Sequence, residues 1–239
     1  MRNSLPLFLI ICLASAAVFT LNGCAGLEGG DPESAFDRGA LLQQWADQTI
    51  VPGYSNWAEH TKTLADVTVL LAAEPTADRV EDAREAFKST YVTWQSVATF
   101  DFGPAADRAH LSTTNTFPVD TVGLMEDVVA VEWTPGTPSS LNRIGLPALD
   151  HLLFAKEDAE GCAEWLNEDV RRGQHLLRLV GFLAEESMAV SSAWGSGYRD
   201  DFVASTGTEL GSGLGATLNA FNRTFESNLR RQKLGLPSG

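Results

Sequence analysis

Cysteine is scarce in this chain, with three among 239 residues. Cys12 lies within an apolar leader, Cys24 closes that leader, and Cys162 stands alone, so no internal disulfide can hold the fold. Basic residues are also few, 17 against 31 acidic, for a formal charge of −14. No Lys/Arg cluster offsets that balance, which argues against a nucleic-acid partner. There are only four histidines, and no HExxH, His-x-x-Glu or cysteine cluster, so a zinc-hydrolase site has nothing to stand on. No nucleophile-elbow pattern occurs, although a Ser-His-Asp assembly of distant residues stays open. Sustained alternation of period two is missing too, and with it the signature of a half-buried sheet.

What is present begins with Arg2 and an apolar run from Leu5 to Leu21, ending in Leu21-Asn22-Gly23-Cys24. A charged start, an apolar centre and small residues before a cleavage point describe a secretory signal over residues 1–23. A cysteine directly after Leu-x-Gly resembles the bacterial lipobox, which makes Cys24 the expected lipidation site. Acyl chains there would give stable membrane anchoring, since two chains hold where one is marginal. No Asp follows Cys24, so the expected location is the outer membrane of the bacterial envelope, facing the periplasm or the cell surface. Residues 24–36 (CAGLEGGD at their start) read as a flexible tether, and residues 37–239 as the folded domain.

That domain reads as helical almost throughout. Trp57, His60, Leu64, Val67 and Leu71 step by three and four, as do Val80, Ala83, Phe87, Tyr91, Trp94 and Ala98 behind a Thr76 cap. Leu166 to Val190 carries a broad apolar stripe through Val170, Leu176, Val180 and Leu183. Leu210, Leu214, Leu218, Phe221, Phe225 and Leu229 repeat the pattern near the end. Breaks are expected at Glu74-Pro75, Phe102-Gly103-Pro104, Thr134–Ser140 and Trp194–Gly197, and Pro52-Gly53 is expected to break or kink the first long helix. The fold class is therefore all-α, with antiparallel helices packed as one or two bundles. Trp57 and Trp94 fall on core stripes and read as packing.

Five segments taken in order resemble the imelysin family, the M75 peptidase-like group of iron-regulated envelope proteins. They are Leu41–Pro52 (LLQQWADQTIVP), Trp94–Pro104 (WQSVATFDFGP), Asn115–Asp120 (NTFPVD), Gly145–Phe154 (GLPALDHLLF) and the stretch from Leu218 to the terminal LGLPSG turn. The resemblance implies a helical fold of two bundle-like halves packed together, held in the envelope and linked to iron or heme acquisition. Family members usually continue past the LGLPSG turn. The expectation is either a naturally short member or a truncated frame, and helices missing beyond the turn would leave apolar faces uncovered, favouring a homodimer or instability.

The resemblance also implies a GxHxxE motif at a helix start, where spacing by three puts imidazole and carboxylate on one face, close enough to share a metal. Here Gly145 keeps its place, Pro147 stands at the His position and Asp150 at the Glu position. Proline offers no metal ligand, but it suits the first turn of a helix, where its missing N–H would be unsatisfied anyway. Asp150 is then the leading candidate for a metal or ligand contact, with Asp120 and His151 beside it. Asn115, Arg143, Gly145 and Pro147 are candidates for a surrounding cleft. Each has a plainer reading: Asp120 caps a helix over 121–129, Asp150 complements a helix N-terminus, and His151 packs. His60 reads as buried and hydrogen-bonded, while His110 and His175 read as surface residues. Cys162 reads as a small packed residue.

The function expected is a lipid-anchored, non-catalytic accessory or binding component in iron acquisition, its possible cargo iron or another divalent cation and its partner another envelope protein. Two alternatives stand: an active M75-type metallopeptidase, which needs an open metal position, and a helical scaffold for another envelope protein.

Overall fold

The computed structural model describes residues 36–236. The signal, Cys24 and most of the tether lie outside the described residues, as do the last three residues of the LGLPSG turn. From Arg38 onward the chain forms one compact unit, and among the described residues there is no strand.

The first helix, α1 (Arg38–Trp45), passes through a π-helical turn (Ala46–Ile50) into α2 (Val51–Ala73). The Val51 N–H closes this wide turn on Ala46 O. Proline lacks an N–H and its ring presses on the carbonyl four residues back. Widening the helix just ahead of Pro52 relieves both, so the chain runs on helically where a break was expected. The buried side of α2 is Tyr54, Trp57, Ala58, Thr61, Leu64, Thr68 and Leu71, the face that the period of three and four marks out.

Thr76 caps α3 (Ala77–Val97) by accepting from Arg79 N–H at 3.4 Å, and α3 buries Val80, Ala83, Phe87, Trp94 and Val97. It runs antiparallel to α2: Trp57 meets Trp94 with ring centroids 5.2 Å apart, and Thr90 Oγ1 donates to His60 O at 3.1 Å. Short helices follow as α4 (Pro104–Asp107), α5 (His110–Asn115) and α6 (Thr121–Val129). A 3-10 turn (Leu141–Arg143) leads into α7 (Gly145–Leu153), and α8 (Ala159–Glu168) comes next.

The stripe from Leu166 to Val190 is not one helix. Asp169 ends α8 and caps α9 (Val170–Ala193), accepting from Arg171 N–H at 3.0 Å, which leaves Val170 63% exposed. The third long helix, α9, lies antiparallel to α2, with Gly173 against Ala72 at one end and Trp194 stacked on Tyr54 at the other. Helices α2, α3 and α9 make the bundle, and α7 and α8 close its side. Burying each large side chain at their shared seam contributes about 1.5–3 kcal/mol.

A second group packs at the far end of the bundle: α1, α10 (Arg199–Ala204) and α11 (Gly213–Arg223), which continues as a wide helix over Thr224–Lys233. Ser196 and Gly197 leave helical geometry between α9 and α10, the expected break. On α11 the buried positions are Gly213, Gly215, Thr217 and Ala220. Of the apolar stripe predicted there, Leu214 packs against the core and Phe221 meets Phe100 edge-on, yet Leu218, Phe221 and Phe225 are still 50%, 41% and 54% exposed. Leu210 precedes the helix and is exposed.

Candidate functional site

Five of the residues singled out by sequence lie where α5, α6 and α7 meet. Asp120 is the hinge of that junction. Its Oδ1 accepts from Gly123 N–H at 3.0 Å, capping α6, and its Oδ2 accepts from Arg143 Nε at 2.8 Å. Its own N–H donates to Asn142 O at 2.9 Å. The Gly123 bond first, and the Arg143 guanidinium after it, hold the Asp120 carboxyl below the usual carboxylate range. Arg143 also reaches Asp127, at 3.7 Å, whose carboxyl burial pushes up against the pull of Arg143. The guanidinium lies flat on Gly123, where a Cβ would stand 2.1 Å from Cζ, so only glycine leaves room for this pair.

Gly145 opens α7 with φ 74°, a left-handed conformation that suits glycine. A Cβ there would sit 2.3 Å from Thr114 O and 2.6 Å from Thr113 O. The start of α7 therefore presses on the end of α5, beside Asn115. Pro147 follows in the first turn, half-buried. No intrahelical acceptor exists for an N–H there, so proline costs the helix nothing at that place. Backbone contact thus draws Asn115, Asp120, Arg143, Gly145 and Pro147 into one junction.

Asp150 and His151 do not join it as a ligand set. Asp150 is exposed, and its carboxyl is raised by the protein around it, with His151 pulling the other way. Asp120 is spent on a cap and a guanidinium. Among the described residues no group of three or more His, Cys, Asp or Glu side chains is placed to hold a metal ion. Asp150, Asp120 and His151, expected as metal or ligand contacts, are therefore not grouped to hold a metal ion.

The histidine expectations are corrected as well. His60 is half-exposed, its Nδ1–H donating to Asn56 O at 2.9 Å, beside a groove lined by Glu59, Thr63, Glu85 and Ser89. His110 and His175, expected at the surface, are 1% and 0% exposed. The His110 Nε2 accepts from Trp57 Nε1 at 3.0 Å, inside a ring of Tyr54, Trp57 and Trp94. Burial, with Arg108 next, pulls its pKa down to about 4. The His175 ring meets Trp133 edge-on at 5.5 Å, and neither of its nitrogens has a protein partner. Burial and then Arg178 pull its pKa to about 4. A polar local sequence concealed both: Arg108 and Asp107 flank one, and three arginines share a helix with the other.

Cys162 is buried as expected, its thiol donating to Leu153 O at 3.3 Å and raised by burial. The cation near it is Arg84, distant in sequence, whose Nε donates to Leu153 O at 3.0 Å and whose Nη2 donates to Lys156 O at 2.9 Å. That guanidinium ties off the end of α7.

The imelysin (peptidase M75) family model matches residues 50–239. Iron-regulated protein A of Synechococcus elongatus is 25% identical over 197 residues, which is 81% of this chain and 51% of that protein. The chain thus spans about half the length of this curated relative. An imelysin-like protein from Psychrobacter arcticum matches in structure with a TM-score of 0.64 at 20% identity, over 83% of this chain and 63% of that one. An iron-regulated protein A precursor from Parabacteroides distasonis matches with a TM-score of 0.62 at 16% identity, over 85% and 60%.

Proposed function

We propose a function from one premise: the chain belongs to the imelysin family. It is a lipid-anchored envelope protein, attached through Cys24, that serves iron acquisition as a non-catalytic accessory or binding component. The observation that carries the non-catalytic part is Pro147, a ring without a lone pair at the position where the family motif has an imidazole. The disposition of Asp120 supports it, since a carboxylate already capping α6 and paired with Arg143 is a poor water-activating ligand. The link to iron rests on the name of the Synechococcus relative, and the anchor rests on the Leu-Asn-Gly-Cys sequence.

Cells lacking the chain, grown under iron restriction, test the reading. Growth should fall, return with the wild-type gene, and fail to return with Cys24→Ala. Asp150→Ala, compared for iron content after purification, separates an accessory from a binder. Undiminished growth without the chain, or peptidase activity of the purified protein that a chelator abolishes, would sink the proposal.

A further inference from the structure

Residues 130–144 connect α6 to α7 and act as a lid at one point, where Trp133 covers His175. Trp133 meets the imidazole edge-on and makes a second edge-to-face contact with Phe182, centroids 6.3 Å apart. Its indole Nε1 has no protein partner, so ring contact alone seats it. One guanidinium does the tethering. Arg178 sits over the Trp133 ring at 5.6 Å, donating Nη2 to Asp127 O at 3.0 Å and Nη1 to Ala130 O at 3.5 Å. The far end is held by Arg143 on Asp120, by the Asp120 N–H donating to Asn142 O, and by Ile144, which is buried in the core.

We propose that Trp133 and the 130–144 segment form an acid-released latch over His175. A neutral imidazole is tolerated beneath the lid. An imidazolium is not, because it carries two N–H donors where the closed site offers neither nitrogen a protein acceptor. The charges around it give little relief. On α9, Arg171 is held by Asp169 and Arg172 by Glu168, which leaves Arg178, one turn on, to repel a second cation. From α6 comes Asp127, whose carboxylate faces Arg143 and also attracts Arg178, offsetting part of that repulsion. The lid carries Glu132, which is exposed; of the other elements packed on α9, α7 carries the exposed Asp150 with half-buried His151, and α2 sets Ala72 against Gly173. Protonation therefore favours swinging Trp133 away and admitting water. Opening also draws on Arg143, and so loosens the Asp120 junction.

Hydrogen exchange on the whole protein at pH 7 and pH 5, corrected for intrinsic rates, tests this. With His175 at about 4 closed and an ordinary 6.5 open, the open population over 130–144 should rise about twentyfold between the two. The 77–97 helix should hold its protection. In His175→Phe, which keeps a ring but cannot titrate, the rise should vanish, and His175→Gln should behave alike if the phenylalanine does not fit. No rise in the wild type, an equal rise in both variants, or loss of protection in 77–97 together with 130–144 would each overturn the latch.

Discussion

His110 and His175 are the same residue in the same state, sealed from water and held neutral, yet their enclosures are built differently. Around His110 the walls are long helices. Trp57 comes from α2 and Trp94 from α3, and the indole N–H of Trp57 satisfies one ring nitrogen. Over His175 the wall on one side is a connecting segment, and neither nitrogen is satisfied. Burial alone does not tell a core histidine from a latched one. What decides is whether the covering group is locked by its own helix and hydrogen bond or merely leans on the ring.

The largest effect that would break this contrast comes from the two tryptophans. Trp57→Ala deletes a fully buried side chain and strips His110 of its donor, so about 3–5 kcal/mol of stability should be lost. Trp133→Ala removes a half-exposed cover and should cost less than half as much, its effect confined to the lid. Urea unfolding of both variants decides the matter, and equal losses would erase the distinction.

Acid comes next. Both histidines are depressed, so the unfolded chain binds more protons than the folded one between about pH 6.5 and 4. Their contribution is complete above 6.5 and declines as pH falls through that window. Each can remove on the order of 3 kcal/mol by its lower edge. The contrast sharpens this: a lid that opens lets His175 protonate without global unfolding, so His110 should dominate the slope. Replacing His110 by Gln should flatten unfolding midpoints against pH more than His175→Gln does. The reverse order would place the rigid wall over the wrong histidine.

The contrast also marks what could be read from residues in order. Stripes of Trp57, Leu64, Leu71 and of Val80, Phe87, Trp94 are local, repeating every turn, and they mark the helices and the middle of their buried faces, while His60, Val67 and Tyr91 fall at the edges. Caps at Thr76 and Asp120 are equally local, needing only a side chain and an N–H two or three residues on. The burial of His110 and His175 is not local, since it depends on which distant helix or segment lands on them, and charged neighbours pointed the other way. The stripe on α11 is covered only in part, at Leu214 and Phe221, for a related reason: periodicity says that a face is apolar, not how much of it another element covers. Within the candidate site, Gly145 and Pro147 were legible as a helix start, because φ and a missing N–H are properties of the residues themselves. That Arg143 pairs with Asp120 joins residues 23 apart, and no local pattern marks such a pair.

The smallest expected effect tests how the lid is fastened at its far end. Asp120 does two things at once, and two substitutions part them. Asparagine caps a helix about as well as aspartate, so Asp120→Asn keeps the bond to Gly123 N–H and loses the charge that Arg143 holds. Asp120→Ala loses both. Thermal melts should show a drop of a few degrees for alanine and a smaller one for asparagine. Because Arg143 belongs to the lid and not to the helical wall, either change should quicken exchange over 130–144 at pH 7 while Trp57 and its neighbours stay protected. An exchange increase that reached α2 as strongly as the lid would mean that the two enclosures are mechanically one, and that the difference between His110 and His175 lies only in their hydrogen bonds.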